Sequence, residues 1–550
     1  MRVSSRLILN AVANYSRLGI TFLLGIFFTW FVVGKIGMVG LGALGLVAAT
    51  FGMSAAVESA LRQSLIRELA AAIASGEEDH VKKSMTAAML FCAPAAVVAM
   101  LISIVLSALA YWGVFNTKGA EHLNQAIAVL LLAEGVHMIF RLLASPYTQA
   151  IFASQRLGLD NILRVVDRLM WVLSAVLVFG FWMEGRPLYI QLIGFALTRA
   201  TIQNADALFG FIFAKIFIPG MKLDFRNIDW HEFRTMMKTI WHTGQVTLLM
   251  NLNEQVLAII INLFFGLTFN GIWQIVVQVG GQARQLTEGL MRGIEPLSTS
   301  LHHKGEKDAI LKLMTRTIRY QLMISLPMVT TYLVFLLPIL NLWVKGRLSA
   351  FVKEQIASGN NFILNTFGVN SINDAVSAAI LLAAIMSSTQ LIAMAVRVSV
   401  RGVERILYGI GYVDSYAWFA KYAAIIIVSC AVIFFSFSST PVLAPVATLI
   451  SYIIFYQMVI PRAARNRTGF SPIRAWRKSL PRPLIANLIL TAFLLPLRMK
   501  LDTLNIKTLF ALVAGVGVFY SFLTYFIILL PDEKQRVKQL FRRLAKKSVA

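Results

Sequence analysis

Glu134, His137 and Arg141 stand at i, i+3 and i+7 inside one long apolar run, stacking an acid, an imidazole and a guanidinium within two turns of a helix face. Arg199, Gln203 and Asp206 stack likewise at i, i+4 and i+7 further on, and Asn10, Asn14, Arg17 and Thr21 define a polar face near the N-terminus. In the second half, Thr247, Asn251 and Glu254 share a face, followed by Gln274, Gln278, Gln282 and Gln285 with Arg284, Glu288 and Arg292. An ionisable group in hydrocarbon is costly unless it faces a protein cavity or water, so these faces are expected to wall a wet cavity. Guanidinium groups in such a cavity offer bidentate hydrogen bonds to a phosphate-bearing ligand. Arg17, Arg141, Arg199 and Arg284 are the cationic binding candidates, with Asn10, Asn14, Asn251, Gln274, Gln278 and Gln282 as neutral ones. Glu134, His137, Asp206 and Glu254 are the groups through which a proton or sodium gradient would couple.

A structural role stands beside each of these. Arg168 and Lys421 lie near helix ends, where long side chains reach the interface. Arg284 can pair with Glu288 at i+4, His137 can be a hydrogen-bonded packing residue, and the glutamines can be interhelical glue.

The elements that carry these residues are membrane spans. Apolar residues make up 58% of the chain, charged ones 14%, and mean hydropathy is +0.71, values that a soluble chain of 550 residues would not tolerate. Apolar runs of about 20 residues fall at 9–33, 39–61, 84–113, 122–152, 163–182, 188–215, 243–266, 269–293, 318–344, 373–397, 414–437, 441–460, 483–499 and 508–530. The fold class is therefore all-α, a polytopic membrane protein of about fourteen spans. The first run is too long for a signal-peptide core and is expected to be a retained helix. With an even number of spans both termini share one side, and a roughly four-to-one excess of Lys and Arg in alternate connections puts that side in the cytoplasm. The net charge of +25 is mostly this asymmetry and does not indicate nucleic-acid binding. Cys92 and Cys430 sit in separate apolar runs, so neither a disulfide framework nor a metal cluster is expected, and no cofactor is.

A short polar loop occurs twice. SGEEDHVKKSMT at 75–86 and KGEKDAILKLMT at 304–315 agree at six of twelve positions, after the second and the eighth span. The repeat unit is thus six helices, giving an N-lobe over 1–225, a C-lobe over 226–465, and a final hairpin with a basic tail over 466–550. Segments 229–241 and 534–547 are amphipathic, the second against a basic remainder, and both are expected to lie along the inner leaflet. Pro94, Pro146, Pro327 and Pro338, with the series Gly37, Gly40, Gly42, Gly45 and Gly52, mark expected kinks and close helix contacts.

Taken in order, the polar first helix, VGLGALGLVAAT at 39–50, LRQSLIREL at 61–69, LNEQVLAIIINLFFG at 252–266, GIWQIVVQVGG and EPLSTSLHHKGEKD at 295–308 resemble the O-antigen-type polysaccharide flippases of the multidrug/oligosaccharidyl-lipid/polysaccharide exporter superfamily. The resemblance covers nearly the whole chain. It implies a bacterial inner-membrane protein that carries an undecaprenyl-pyrophosphate-linked oligosaccharide to the outer leaflet through a V-shaped cavity opening alternately to each side. Polysaccharide polymerase machinery is the implied partner. A lipid II flippase and a multidrug/cation antiporter of the same superfamily are the alternatives. Enzymatic function is not expected, because the only sizeable outer loop, 345–372, holds one acid, Glu354, and no phosphate-binding loop motif occurs.

Overall fold

The computed structural model describes the chain except residues 1–2, 118–120, 155, 227, 232, 235–236, 238–254, 289–293, 358–363, 365–366, 502–503, 536–537 and 540–550. The described residues form helices and no strand. Lipid offers no partner for backbone N–H and C=O groups, so each segment closes its own hydrogen bonds. The helices are α1 (Val3–Ser75), α2 (Glu78–Tyr111), α3 (Asn124–Ala153), α4 (Leu157–Leu177), α5 (Leu188–Ala200), α6 (Ala205–Phe217), α7 (Gln255–Phe265), α8 (Leu267–Glu288) and α9 (Ile294–His303). They continue with α10 (Lys307–Leu340), α11 (Gly346–Ala357), α12 (Ile372–Gly409), α13 (Asp414–Phe437), α14 (Ala444–Tyr452), α15 (Ile460–Thr468), α16 (Pro472–Ser479), α17 (Pro481–Lys500) and α18 (Ile506–Leu523).

Among the described residues nine helical stretches are long and apolar enough to cross a bilayer, so the chain is a multi-pass membrane protein. The other expected spans depart from that pattern for visible reasons. α4 carries Asp160, Arg164, Asp167 and Arg168, the run over 188–215 is broken into α5 and α6, and 243–266 lies partly outside the described residues. The first two runs form one rod, α1, broken at Gly37, whose φ of 65° and ψ of −169° are open to glycine and strained for other residues.

The twice-occurring loop adopts the same conformation both times. Gly76 (φ 73°) and Gly305 (φ 72°) take the left-handed turn that ends a helix, and each is followed by a 34-residue helix, α2 or α10.

Two compact units are distinguished: one comprises Met1–Gln278, Val344–Met386 and Ala417–Ser451, the other Val279–Trp343, Ser387–Tyr416 and Tyr452–Ala550. In the first, α3 packs against α1, α2, α5 and α6. The α2–α3 seam is built from small residues: Ser107 Oγ donates to Ala128 O at 2.9 Å, Ser103 Oγ donates to Leu131 O at 2.5 Å, and a Cβ on Gly135 would stand 2.3 Å from Ser103 Oγ. In lipid there is no hydrophobic drive between helices, so such close approach and buried hydroxyl bonds replace it.

In the second unit α10 carries the C-terminal hairpin. Phe335 packs with Ala486, Leu490 and Leu494 of α17 and Leu512, Tyr520 and Leu523 of α18, while Asn487 Nδ2 donates to Thr330 Oγ1 at 2.9 Å. Glu533, buried beyond α18, accepts from Arg319, from the Tyr320 hydroxyl at 2.5 Å and from its own segment's Leu530 N at 2.9 Å. Replacing Glu533 with alanine removes three hydrogen bonds and strands the buried Arg319 charge. Limited proteolysis should then cleave the segment after α18 several-fold faster than in wild type, and an unchanged rate would show that this contact does not hold the hairpin end. The amphipathic segments expected over 229–241 and 534–547 lie largely outside the described residues.

Candidate functional site

The stretch between Pro187 and Ile218 is apolar enough to have been expected as one span, yet its helix stops at Ala200. Thr201, at φ −122° and ψ −84°, departs from helical geometry, and Ile202–Asn204 form one tight 3-10 turn before α6 begins. The break frees backbone carbonyls that lipid cannot satisfy. Asn204 supplies a partner: its Nδ2 donates to Ala200 O at 2.9 Å.

The break brings polar groups of two helices together. Arg199, the penultimate residue of α5, holds Glu134 of α3 with both arms of its fork, Nε to Oε2 at 2.5 Å and Nη2 to Oε1 at 2.8 Å. Its Nη1 donates to Gln203 Oε1 at 2.8 Å. One turn along α3, His137 is fully buried and its Nδ1 lies 2.6 Å from Asn204 Oδ1. Because the Asn204 amide nitrogen is spent on Ala200 O, its oxygen faces the imidazole, so Nδ1–H is the donor. His137 Nε2 is then a bare acceptor, buried with no hydrogen-bond partner among the described residues. Arg141, two turns from Glu134 along α3, lies within electrostatic reach of both Glu134 and His137.

Three of the sequence-predicted residues, Glu134, His137 and Arg199, thus meet at the break with Gln203 beside them, and Arg141 lies two turns from Glu134 along α3. Asp206 opens α6 immediately after it and is half-buried. Arg17 is half-buried on α1; Asn10 and Asn14 belong to the same helix, with side chains outside the described part. Gln274 and Gln278 lie on α8 in the first unit, and Gln278 Nε2 is buried without a partner among the described residues. Gln282, which is buried, and Arg284, which is half-buried, belong to the second unit, and Asn251 and Glu254 fall outside the described residues.

A second feature of the first unit is a seam without side chains. A Cβ on Gly42 of α1 would lie 1.9 Å from Leu267 O, and one on Gly271 of α8 would lie 2.2 Å from Met38 O. Only hydrogen fits at either position. Asn270 Nδ2 donates to Gly42 O at 3.2 Å across the seam, and the Arg347 guanidinium lies 4.0 Å over the Trp30 ring nearby.

Polar residues of the second unit escaped the sequence reading. Arg397, 5% exposed, donates from Nη1 to the Tyr452 hydroxyl at 3.2 Å and lies against the Tyr452 and Tyr456 rings. Arg401 and Glu404 form a buried pair, and Gln457, in a π-helical segment at Ile453–Val459, donates to Val396 O and Ser399 Oγ at 2.9 Å each. Arg397, Arg401 and Glu404 have the same i, i+4, i+7 spacing as the sites that were found. Arg397 is the last residue of the apolar window and Arg401 and Glu404 fall just past it, on a helix that runs to Gly409. Asn204 was missed because nothing in its neighbourhood signals a helix break.

No family model matches the chain. Over 324 residues it is 22% identical to an uncharacterized membrane protein, EpsK, of Bacillus subtilis (strain 168), a match covering 58% of this chain and 62% of that relative's length. Among solved structures, the lipid II flippase MurJ in an inward closed conformation is similar at TM-score 0.61 and 13% identity, over 94% of this chain and 98% of that one. The MATE multidrug transporter DinF-BH in complex with R6G is similar at TM-score 0.59 and 13% identity, over 86% and 98%. An outward-facing multidrug resistance MATE transporter of the MOP superfamily gives TM-score 0.55 and 14% identity, over 84% and 96%. The fold is therefore the all-α, multi-pass one shared by this flippase and these exporters.

Proposed function

We propose that the chain is a flippase that moves an undecaprenyl-pyrophosphate-linked saccharide across the bacterial inner membrane by alternating access, with both termini in the cytoplasm. The observation that carries this reading is the charged break inside a span: Arg199, Glu134 and His137 meet where hydrocarbon would otherwise surround them. Buried charge of this kind marks a ligand or ion path. A pyrophosphate and its sugars cannot cross hydrocarbon alone, whereas guanidinium and amide groups replace their hydration and the polyprenyl tail stays in lipid. In this reading Arg17, Arg141, Arg199 and Arg284 hold the diphosphate, and Asn10, Asn14, Asn251, Gln274, Gln278 and Gln282 meet the glycan. Glu134, His137, Asp206 and Glu254 link transport to an ion gradient. The basic helix α16, with Arg474, Arg477 and Lys478, rests on anionic lipid.

The flippase over the antiporter reading is supported by coverage: the flippase structure matches 94% of this chain, the two exporters 86% and 84%. The same likeness favours a second cargo of the same chemistry, lipid II, which is the substrate named for that neighbour. A polysaccharide repeat unit remains our first reading on the residue pattern and brings the polymerase machinery as partner.

Proteoliposomes loaded with either lipid-linked saccharide test both. Externally added glycan-processing enzyme should consume cargo from the sealed leaflet only when the protein is present, and Arg141→Ala should slow this at least tenfold. Lysine at 141 should restore only part of the rate, since charge persists while the fork is lost. Equal rates with and without protein for both cargoes would end the reading.

A further inference from the structure

The geometry points to His137 as a proton-binding site that decides whether Arg199 is held by Glu134 or offered to an anion; this rests on the reading of the chain as a carrier of a diphosphate headgroup. Three observations converge on it. First, Glu134 is a shared partner. It lies one turn from His137 on the same face of α3 and is gripped by the full fork of Arg199 from α5. Second, the imidazole is already oriented. Asn204 fixes Nδ1–H as donor, which leaves Nε2 as the one atom able to take a proton, and Nε2 is buried with no partner among the described residues. A buried acceptor left unmade is costly and calls for a function. Third, Asn204 sits in the helix break itself, so the imidazole, the carboxylate and the hinge of the span are one connected group.

The charges that act on the imidazole are Glu134 and Arg141 from its own helix and Arg199 from α5. The turn contributes the neutral Gln203 and Asn204, and α6 opens with Asp206. In the neutral state Glu134 balances Arg199 and the pair is closed. When Nε2 takes a proton, the carboxylate faces two cations within one turn and a third, Arg141, beyond. One carboxylate cannot balance them, and the local excess of positive charge is relieved by a phosphate. The proton therefore turns a neutral pair into an anion site: one proton is added at Nε2, no covalent bond is otherwise made or broken, and loss of that proton returns Arg199 to Glu134 and expels the anion. Proton and diphosphate bind together, each favouring the other to the same degree.

Undecaprenyl diphosphate in detergent is the probe. Its affinity for the wild-type protein should rise at least tenfold between about pH 8 and about pH 4, because the bound anion and the proton on Nε2 favour each other. His137→Gln, which keeps a hydrogen bond to Asn204, should bind weakly at both values. Glu134→Gln should bind tightly at both, because Arg199 is released without a proton. An unchanged pH dependence in His137→Gln, or a retained one in Glu134→Gln, overturns the inference. A ligand-free measurement separates its failure from that of the transport reading. The coupling between Glu134 and Arg199, read from melting temperatures of the two single variants and the double, should shrink in acid in wild type and stay constant in His137→Gln. Absent lipid binding with this coupling pattern present would remove the cargo and keep the switch, and a coupling that ignores His137 would remove the switch.

Discussion

Glu134→Leu should lower the melting temperature of the detergent-purified protein by several degrees, and adding Arg199→Leu to it should restore most of the loss. The side chains of the pair are only 17% and 13% exposed, for Arg199 and Glu134 respectively, and the fork makes two parallel hydrogen bonds. Removing one member of such a pair leaves an uncompensated charge, which costs about 3–5 kcal/mol in measured cases, whereas replacing both by apolar groups is often neutral. Arg199→Leu alone should be as damaging, since it strands Glu134 between helices. In proteoliposomes the double variant should fold and fail to transport, which separates the structural part of the pair from its part in the cycle. Thermal melts monitored by size-exclusion chromatography make the comparison. A single variant that melts with wild type, or a double that melts no higher than the singles, would show that the pair is not buried as described.

The second large effect is expected at the glycine seam. Gly271→Ala adds one carbon where the backbone of α1 stands, 2.2 Å from Met38 O and 3.2 Å from Met38 Cα. Real carbon atoms do not approach a carbonyl oxygen so closely, and neither partner here is a side chain that can turn away. The two helices must part by an ångström or more, which also breaks the bond from Asn270 to Gly42 O. In the alternating-access cycle proposed above, such a seam would act as a gate, and wedging it open would bias the cycle toward a state in which α1 and α8 are apart. A cysteine introduced at Met38 should react with a membrane-impermeant maleimide several-fold faster in the Gly271→Ala background. Gly42→Ala should do the same from the other helix. Equal labelling in all three proteins would mean that the seam is not a moving contact.

The residues at the helix break were legible in the sequence because charge inside an apolar run is rare and costly, whatever surrounds it. Glu134, His137 and Arg141 could be placed on one face of one helix from spacing alone, and the expected kink at Gly37 and close contact at Gly42 followed from glycine in a span. Arg397, Arg401 and Glu404 were not found, although their spacing is also helical, because the apolar window ended at Arg397, before the helix did. The role of Asn204 was invisible for another reason. An asparagine in a span reads as glue between helices, and only the non-helical Thr201 shows that it closes a broken one.

By itself the sequence determined that this chain lives in a bilayer, that its segments are helices and which of them carry charge, since hydropathy and helical spacing are local properties that lipid enforces segment by segment. Which charges meet was decided by the tertiary structure alone. Glu134 and Arg199 lie 65 positions apart and Gly42 and Asn270 lie 228 apart, distances along the chain over which no spacing rule operates. Their pairing depends on the packing of α3 against α5 and of α1 against α8, where small residues let backbones close and each buried polar group must find the partner that the fold brings to it.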